Sequence, residues 1–380
     1  MKYTNTIIFL VLFMVFHSCS KKKSVNSSDM QLSIYDSLDI PYYKNPYIKQ
    51  YNKNTGTYIG VFDSDVIAFN HDSIVFTFNR KGYGPEEYNH KFIYKYCNVV
   101  YYNDTTVVLN NHQYLKFYNL QGDYIKRIEI DTASPHFSRN VIGLHPDNNS
   151  IFFFHGDNSY DEKAYEKGTY QNLRPNFFTL NSNTKQTQCC GSPEKENIVI
   201  AENKYFPMNE PIVTLNKTGK KVNVLFSGDF KLFSYDMNQT NTYTVHQLSP
   251  DHPTKQHFYS PDDVNKGYLR KYYMNTYYKN LYTSADTTLT IYREGIPELT
   301  VDEIHGKQQD AYNLLTNMMN FYIEFYIDKK KHTKDIIISK DYEAIDIRGI
   351  NEVVLRKKDQ ELTIDNKPIM RLYFARIEKI

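Results

Sequence analysis

Beyond about residue 57 the chain runs in short stretches of alternating apolar and polar residues, separated by turns rich in Asn and Asp. Alternation of period two is the pattern of a strand that turns one side to a core. The unit is clearest from Asp104 to Ile130. Thr105–Leu109 reads as a strand, Asn110-Asn111-His112 as a turn and Gln113–Tyr118 as a second strand. Asn119–Asp123 is then a second turn and Tyr124–Ile130 a third strand. In that third strand Tyr124, Lys126, Ile128 and Ile130 face one way, and Ile125, Arg127 and Glu129 the other. Neither side is purely apolar, which places the strand toward a sheet edge. The same grammar returns at Val222–Phe226, Phe230–Tyr235 and Thr242–Leu248, and in looser form at Ser150–His155, Asn176–Leu180 and Thr184–Cys189.

The second-turn positions Asn119, Asn181 and Asp236 lie 62 and 55 residues apart. A body starting near Thr57 then holds about six such units, and roughly two dozen strands divide into six sheets of four. The pattern therefore predicts an all-β protein, a six-bladed β-propeller with short helical insertions. Its span is 36–380, with Met370–Arg376 closing the ring against the N-terminal blade. Two stretches break the alternation. Ser260-Pro261-Asp262-Asp263 reads as a helix start followed by Tyr268, Tyr272 and Tyr278 at near-helical spacing. Asp310–Tyr326 carries Leu314, Leu315, Met318, Met319 and Tyr322 on one helical face.

Composition agrees with sheet: 35 Tyr, 23 Phe and no Trp in 380 residues, with 15 Gly and 36 Asn. Glycine is scarce for so many turns, and asparagine is expected to take the left-handed turn positions. The balance of 45 basic against 43 acidic residues, net +2, excludes a phosphate-tracking nucleic-acid binder.

The N-terminus is different in kind. Met1-Lys2 precedes an unbroken apolar run from Ile7 to Phe16, too short to span a bilayer and suited to a signal-peptide core. Phe16-His17-Ser18-Cys19 follows, and this resembles the lipobox of bacterial lipoproteins. The resemblance implies a signal peptide at 1–18, lipidation of Cys19 and a membrane anchor, with a flexible tether over 19–35. The stretch after the cysteine is Lys21-Lys22-Lys23 rather than acidic. By resemblance to Bacteroidetes-type lipoproteins, this implies an outer-membrane protein facing the periplasm rather than the cell surface. The remaining cysteines, Cys97, Cys189 and Cys190, leave open a disulfide of Cys97 with Cys189 or Cys190, or free thiols.

Arg80-Lys81-Gly82-Tyr83-Gly84-Pro85-Glu86-Glu87-Tyr88 resembles a first-blade turn, Gly-x-Gly-Pro-Gly-Glu-aromatic, of uncharacterised six-bladed β-propeller lipoproteins. Glu86 stands where the family has its third Gly. Thr290-Ile291-Tyr292-Arg293 is similar to a late-blade strand of the same family. The resemblance implies no functional residue. In such envelope proteins Asp-Ser/Thr followed by a small or apolar residue can be O-glycosylated. Five such triplets place candidates at Ser37, Ser73, Thr105, Thr132 and Thr287.

The search for chemistry finds little. Gly82-Tyr83-Gly84 fails as a phosphate loop because Pro85 lacks an N–H donor and no helix opens there. Glu86-Glu87 are adjacent, so in a strand they point apart. Asp262–Gly267 fails as a calcium loop, because Val264 and Lys266 fill positions that need oxygen ligands. Asp251, His252 and His257 allow a metal, but exposed loop histidines are the ordinary reading. Lys329-Lys330-Lys331-His332 reads as a solvated turn. No catalytic residue, metal ligand or cofactor is therefore assigned. The expected function is a non-catalytic binding module with a protein or glycan partner. The alternatives are a structural subunit of an envelope complex and a propeller enzyme acting on a glycan or envelope polymer.

Overall fold

The computed structural model describes residues 30–40, 47–62, 65–82, 84–88, 99–111, 114–129, 138–144, 150–156, 176–181, 187–191, 211–216, 220–236, 242–258, 268–305, 310–347, 349–358, 362–364 and 367–380. Short turns between alternating segments make each strand pair antiparallel with the next, and six sheets result. The first holds β2 (Tyr47–Asn52), β3 (Thr57–Phe62), β4 (Asp65–Phe69) and β5 (Ile74–Phe78). The second holds β6 (Val99–Asn103), β7 (Thr106–Asn111), β8 (Tyr114–Asn119) and β9 (Tyr124–Glu129). The third, described by its backbone pairing, holds β10 (Ser138–Leu144), β11 (Ser150–Gly156), β12 (Asn176–Asn181) and β13 (Thr187–Gly191). The fourth is β14 (Pro211–Asn216), β15 (Lys221–Phe226), β16 (Lys231–Asp236) and β17 (Tyr243–Gln247). The fifth is β18 (Tyr277–Thr283), β19 (Thr287–Arg293) and β20 (Phe321–Ile327), with β21 (Lys330–Lys331) and β22 (Ile336–Ile338) both pairing β20. The sixth joins both ends of the chain. Its β23 (Tyr342–Ile347), β24 (Glu352–Lys357) and β26 (Lys367–Lys379) are completed by β1 (Met30–Ile40), while β25 (Leu362–Ile364) pairs β26 alone.

The first strands lie innermost and touch in succession, β2 to β6, β10, β14, β18 and β23, which is a β-propeller arrangement. Five of these six strands carry a register shift in midstrand, at Ile48/Gln50, Tyr101/Asn103, Val141/Gly143, Tyr278/Asn280 and Ala344/Asp346. A bulge bends its strand and sharpens the twist, so its recurrence marks the repeat more clearly than the side chains do.

Neighbouring sheets bury their apolar faces against one another. Ile59, Val66 and Phe78 of the first meet Val99, Val107 and Tyr118 of the second. Leu225 and Leu232 of the fourth meet Tyr278, Tyr292 and Tyr326 of the fifth. Leu289, Ile291 and Ile323 of the fifth meet Val353, Leu355 and Ala375 of the sixth. Leu38, Ile40, Leu372 and Phe374 of the sixth meet Tyr58, Ile67 and Phe69 of the first. Tyrosine suits these seams because the ring packs while the hydroxyl reaches a polar partner. Tyr101 shares a hydrogen with Thr57 at 2.7 Å, and Tyr118 donates to the Glu86 carbonyl at 2.9 Å.

Several expectations need correction. Residues 30–35, expected in the flexible tether, belong to β1, where Met30 pairs Lys379. The final strand pairs the N-terminal strand, but that strand completes the last sheet instead of belonging to the sheet β2–β5. The helix start expected at Ser260–Asp263 lies outside the described residues; the first described helix, α1 (Tyr268–Met274), ends before Tyr278, which lies in β18. Of Asp310–Tyr326 only α3 (Ala311–Met318) is helical. The run Phe321–Ile327 alternates and is drawn into the ladder as β20, tertiary pairing overriding the helical spacing of Tyr322. A helix that the alternation did not reveal, α2 (Glu298–His305), precedes α3.

Asparagine works differently from the expectation. Among the described non-glycine residues positive φ occurs at Lys220, Asp328 and Lys329, and at no asparagine. Asparagine side chains instead accept backbone N–H groups two to four residues on. Asn70 holds Asp72 and Ser73, Asn103 holds Thr105, and Asn119 holds Gln121 and Asp123. The one glycine this last turn requires is Gly122, at φ +83°, where a Cβ would lie 2.5 Å from that of Phe78.

Candidate functional site

Antiparallel order sorts the connections between strands onto two faces. Those from first to second and from third to fourth strand leave one face, and each of them is six residues or fewer. Those from second to third strand and from sheet to sheet leave the opposite face, and every long connection is among them: 79–98, 157–175, 192–210, 248–276 and 294–320. Loops on a rigid scaffold carry function more often than the scaffold does. This face is therefore the candidate site.

Its best-described part lies over the fifth sheet, where α1 belongs to connection 248–276 and α2 and α3 to 294–320. Arg270 of α1 is ion-paired with Asp302 and Glu298 of α2, and Val301 and Leu315 bury the inner sides of α2 and α3. Arg293 is fully buried beneath α1, its guanidinium 3.9 Å from the centre of the Tyr272 ring and 4.6 Å from that of Tyr277. The outer side presents Leu299, 84 % exposed, with Leu314 and Met318.

Beneath the helices, segment 248–252 is bolted to the fifth sheet by charge. Glu324 of β20 is fully buried and accepts from Tyr278 (2.8 Å), Thr290 (2.9 Å) and Tyr326 (2.7 Å). Burial raises its pKa against these hydrogen bonds. Lys331 pairs with Asp251 at 2.8 Å and Asp335 at 2.6 Å, and donates to the Ser249 carbonyl. Burial opposes its charge, but the two carboxylates raise its pKa. Ser249 N–H donates to the Tyr326 hydroxyl, and Asp335 N–H to Asp251. Each of these carboxylates is engaged by internal donors. The arrangement positions a loop and offers no free acid–base pair.

A second polar group joins the fifth and sixth sheets. Glu343 of β23 lies 2.6 Å from both Lys279 of β18 and Arg356 of β24. Burial would raise its pKa, yet the two cations pull it down to about 2. Three residues on, Asp346 is surrounded by protein while part of its surface stays accessible, as expected of an innermost strand. Burial pushes it up to about 7, against hydrogen bonds from the Ile347 backbone and Asn280. Asn280 also donates to the Ile345 carbonyl at 3.2 Å, and Gln50 accepts the Tyr101 N–H at 2.6 Å. Inner strands are thus clasped to their neighbours by amide side chains beside the bulges.

Asp346 leads to a test. Its folded pKa exceeds the ordinary 3.8, so the folded chain holds this proton more tightly than the unfolded chain does. The group therefore subtracts stability as pH rises from about 4 to about 7. Asp346→Asn is expected to raise stability at pH 8, by on the order of 4 kcal/mol at most, and to leave it unchanged near pH 4. Urea unfolding of both proteins at the two pH values measures it, and an equal effect at both would contradict the assignment.

The residues singled out from sequence are scattered. Ser37, Ser73 and Thr105 are exposed on the β1, β4–β5 and β6–β7 segments. Thr287 is buried and its hydroxyl donates to Asp286, so a bulky glycan has no room there. Thr132, Cys19 and Cys97 lie outside the described residues, as do the side chains of Cys189 and Cys190. His252 stacks on Tyr322 with centroids 4.3 Å apart, and among the described residues Asp251, His252 and His257 do not bring three ligand atoms together. The turn Gly82–Tyr88 is a structural plug: Gly84 N–H donates to Glu87 at 2.8 Å and Tyr88 is fully buried. Lys331, expected in a solvated turn, is part of the charge network. Asp335 is four residues away, but the other partner, Asp251, is 80 residues away and has no local signal.

No family model matches the chain, and no curated protein matches it. Among solved structures it is similar to a member of the DUF4221 family from Bacteroides vulgatus. The identity is 11 % and the TM-score 0.65, covering 93 % of this chain and all of that one. It is also similar to an exported protein from Bacteroides fragilis, at 12 % identity and a TM-score of 0.53, covering 94 % and 97 %. At such identity the likeness shows the fold alone, an all-β β-propeller. Among the described residues no helix is long and apolar enough to cross a membrane.

Proposed function

We propose that the chain is an envelope lipoprotein whose six sheets form one six-bladed ring, and that this ring is a non-catalytic binding module for a protein partner. The observation that carries the reading is the asymmetry of the faces: every long connection leaves one face, and Leu299, Leu314 and Met318 are exposed there. Internal donors occupy Glu324 and Asp335, so these two acids serve the packing of the fifth sheet rather than a reaction. The lipobox at Phe16-His17-Ser18-Cys19 supports a lipid anchor on the outer membrane, facing the periplasm. Ser37, Ser73 and Thr105 are the exposed candidates for O-glycosylation, read out by the intact mass of natively expressed protein.

The test is co-purification from the native envelope. Leu299→Asp with Leu314→Asp is expected to lose a partner that the wild type retains, with the thermal midpoint unchanged because both side chains face solvent. Equal recovery by wild type and variant would overturn the helical face as the binding surface. Cys19→Ala is expected to release the protein from membranes and to abolish labelling by a fatty-acid probe; retention with labelling would overturn the anchor.

A further inference from the structure

The sixth and first sheets meet where the chain closes on itself, and three metal-ligating side chains converge at that seam. Asp36 comes from β1, the strand that completes the last sheet. His71 and Asp72 come from the turn between β4 and β5 of the first sheet. One ligand atom from each lies within 4.8 Å of the other two, and His71 Nε2 is 3.3 Å from Asp72 Oδ1. Two ligands bound at ~2.1 Å to one tetrahedral ion are about 3.4 Å apart. The His–Asp pair therefore already has the required spacing, and rotation of the accessible Asp side chains brings in the third ligand.

The placement follows from packing on both sides. Asp36 pairs with Phe374 across the β1–β26 ladder, directly after a register shift that redirects β1. The His71 ring meets the Phe374 ring edge-on, centroids 6.5 Å apart, so the imidazole is held beside the strand position that Asp36 occupies. Asp36 Oδ1 also accepts the Ser37 N–H at 2.8 Å, while Asn70 accepts the Asp72 N–H at 2.9 Å. The two carboxylates belong to Asp36-Ser37-Leu38 and Asp72-Ser73-Ile74, far apart in sequence and adjacent in space.

We propose that Asp36, His71 and Asp72 bind a divalent transition-metal ion, zinc in the first instance, and that the ion clamps the closing strand β1 to the first sheet. One imidazole with two carboxylates selects a borderline cation over calcium or magnesium, which take all-oxygen sites. Three protein ligands leave a coordination position open to water. The clamp couples the ion to ring closure, since it binds the two sheets only when β1 is in place.

Zinc titration of the chelator-treated full chain by calorimetry tests the site, with hydrogen exchange of the β1 amides as the second readout. One equivalent is expected to bind, weakened at least tenfold in His71→Ala and in Asp36→Asn, and not displaced by millimolar calcium or magnesium. Exchange across Met30–Ile40 is expected to slow on adding zinc in the wild type and not in either variant. Asp36 and His71 are half-buried and Asp72 is exposed, none of them in the core, so thermal melts should show both variants folded. Absence of binding, or binding of equal strength in both variants, overturns the site. Binding that leaves β1 exchange unchanged overturns the clamp.

Discussion

Deletion of residues 371–380 is expected to leave a chain that does not fold to a soluble, cooperative state. This segment is most of β26, which lies between β24 and β1 in the sixth sheet. Losing it removes two ladders at once, frees β1 and exposes the faces of the fifth and first sheets. Leu372, Phe374 and Ala375 are buried to within 1 % of complete, and Ile377 nearly so. Burial of each large apolar side chain contributes about 1.5–3 kcal/mol, so the direct loss alone rivals a total stability of about 5–15 kcal/mol. The Arg371–Asp39 pair, with contacts of 2.5 and 2.7 Å, goes as well. The ring would then present unpaired edges to other chains. Soluble yield, near-ultraviolet circular dichroism and a thermal scan decide it. A truncated chain that melts cooperatively would show that ring closure is dispensable.

Glu324→Ala is expected to destabilise the fold by about 3–5 kcal/mol, the range for removing one member of a buried charged network. The buried hydroxyls of Tyr278, Thr290 and Tyr326 all donate to this carboxylate, and Lys331 stands 4.0 Å from it. Alanine removes the acceptor for three donors and leaves a cavity between the fourth and fifth sheets. Glu324→Gln keeps the shape and lets hydroxyls reorient toward the amide, so its cost should be the smaller. The sign with pH is separate. Burial holds the folded pKa of Glu324 above the ordinary carboxylate value, so its ionisation subtracts stability as pH rises through that range. The glutamine variant should therefore compare best with the wild type at high pH and worst in acid. Denaturant unfolding of the three proteins across pH checks both statements. A loss below 1 kcal/mol in the alanine variant would mean that the network is decorative.

Strand content and the repeat were legible in the residues themselves. Period-two alternation is local, so β8, β15 and β16 fall within a residue or two of the segments read from the pattern. Asn119, Asn181 and Asp236 each end the third strand of a sheet, which is why their spacing measured the repeat. The mixed faces of Tyr124–Glu129 identified an edge, and β9 is one.

What escaped the sequence depends on residues brought together from afar. The strand Phe321–Ile327 carries both a helical spacing at Tyr322 and an alternation of its own, and the ladder to β19 decides between them. Asparagine's role in turns was fixed by which backbone N–H its side chain could reach, a matter of geometry that composition does not encode. Lys331 reads as one lysine in a run of three until Asp251 and Asp335 close around it. Asp36 and His71 are 35 residues apart and share no motif; they meet because ring closure lays β1 beside the β4–β5 turn. Local alternation specifies strands because burial on one side of a strand acts residue by residue. Closure, seams and sites arise from contacts between sheets, and these exist only once the ring has formed.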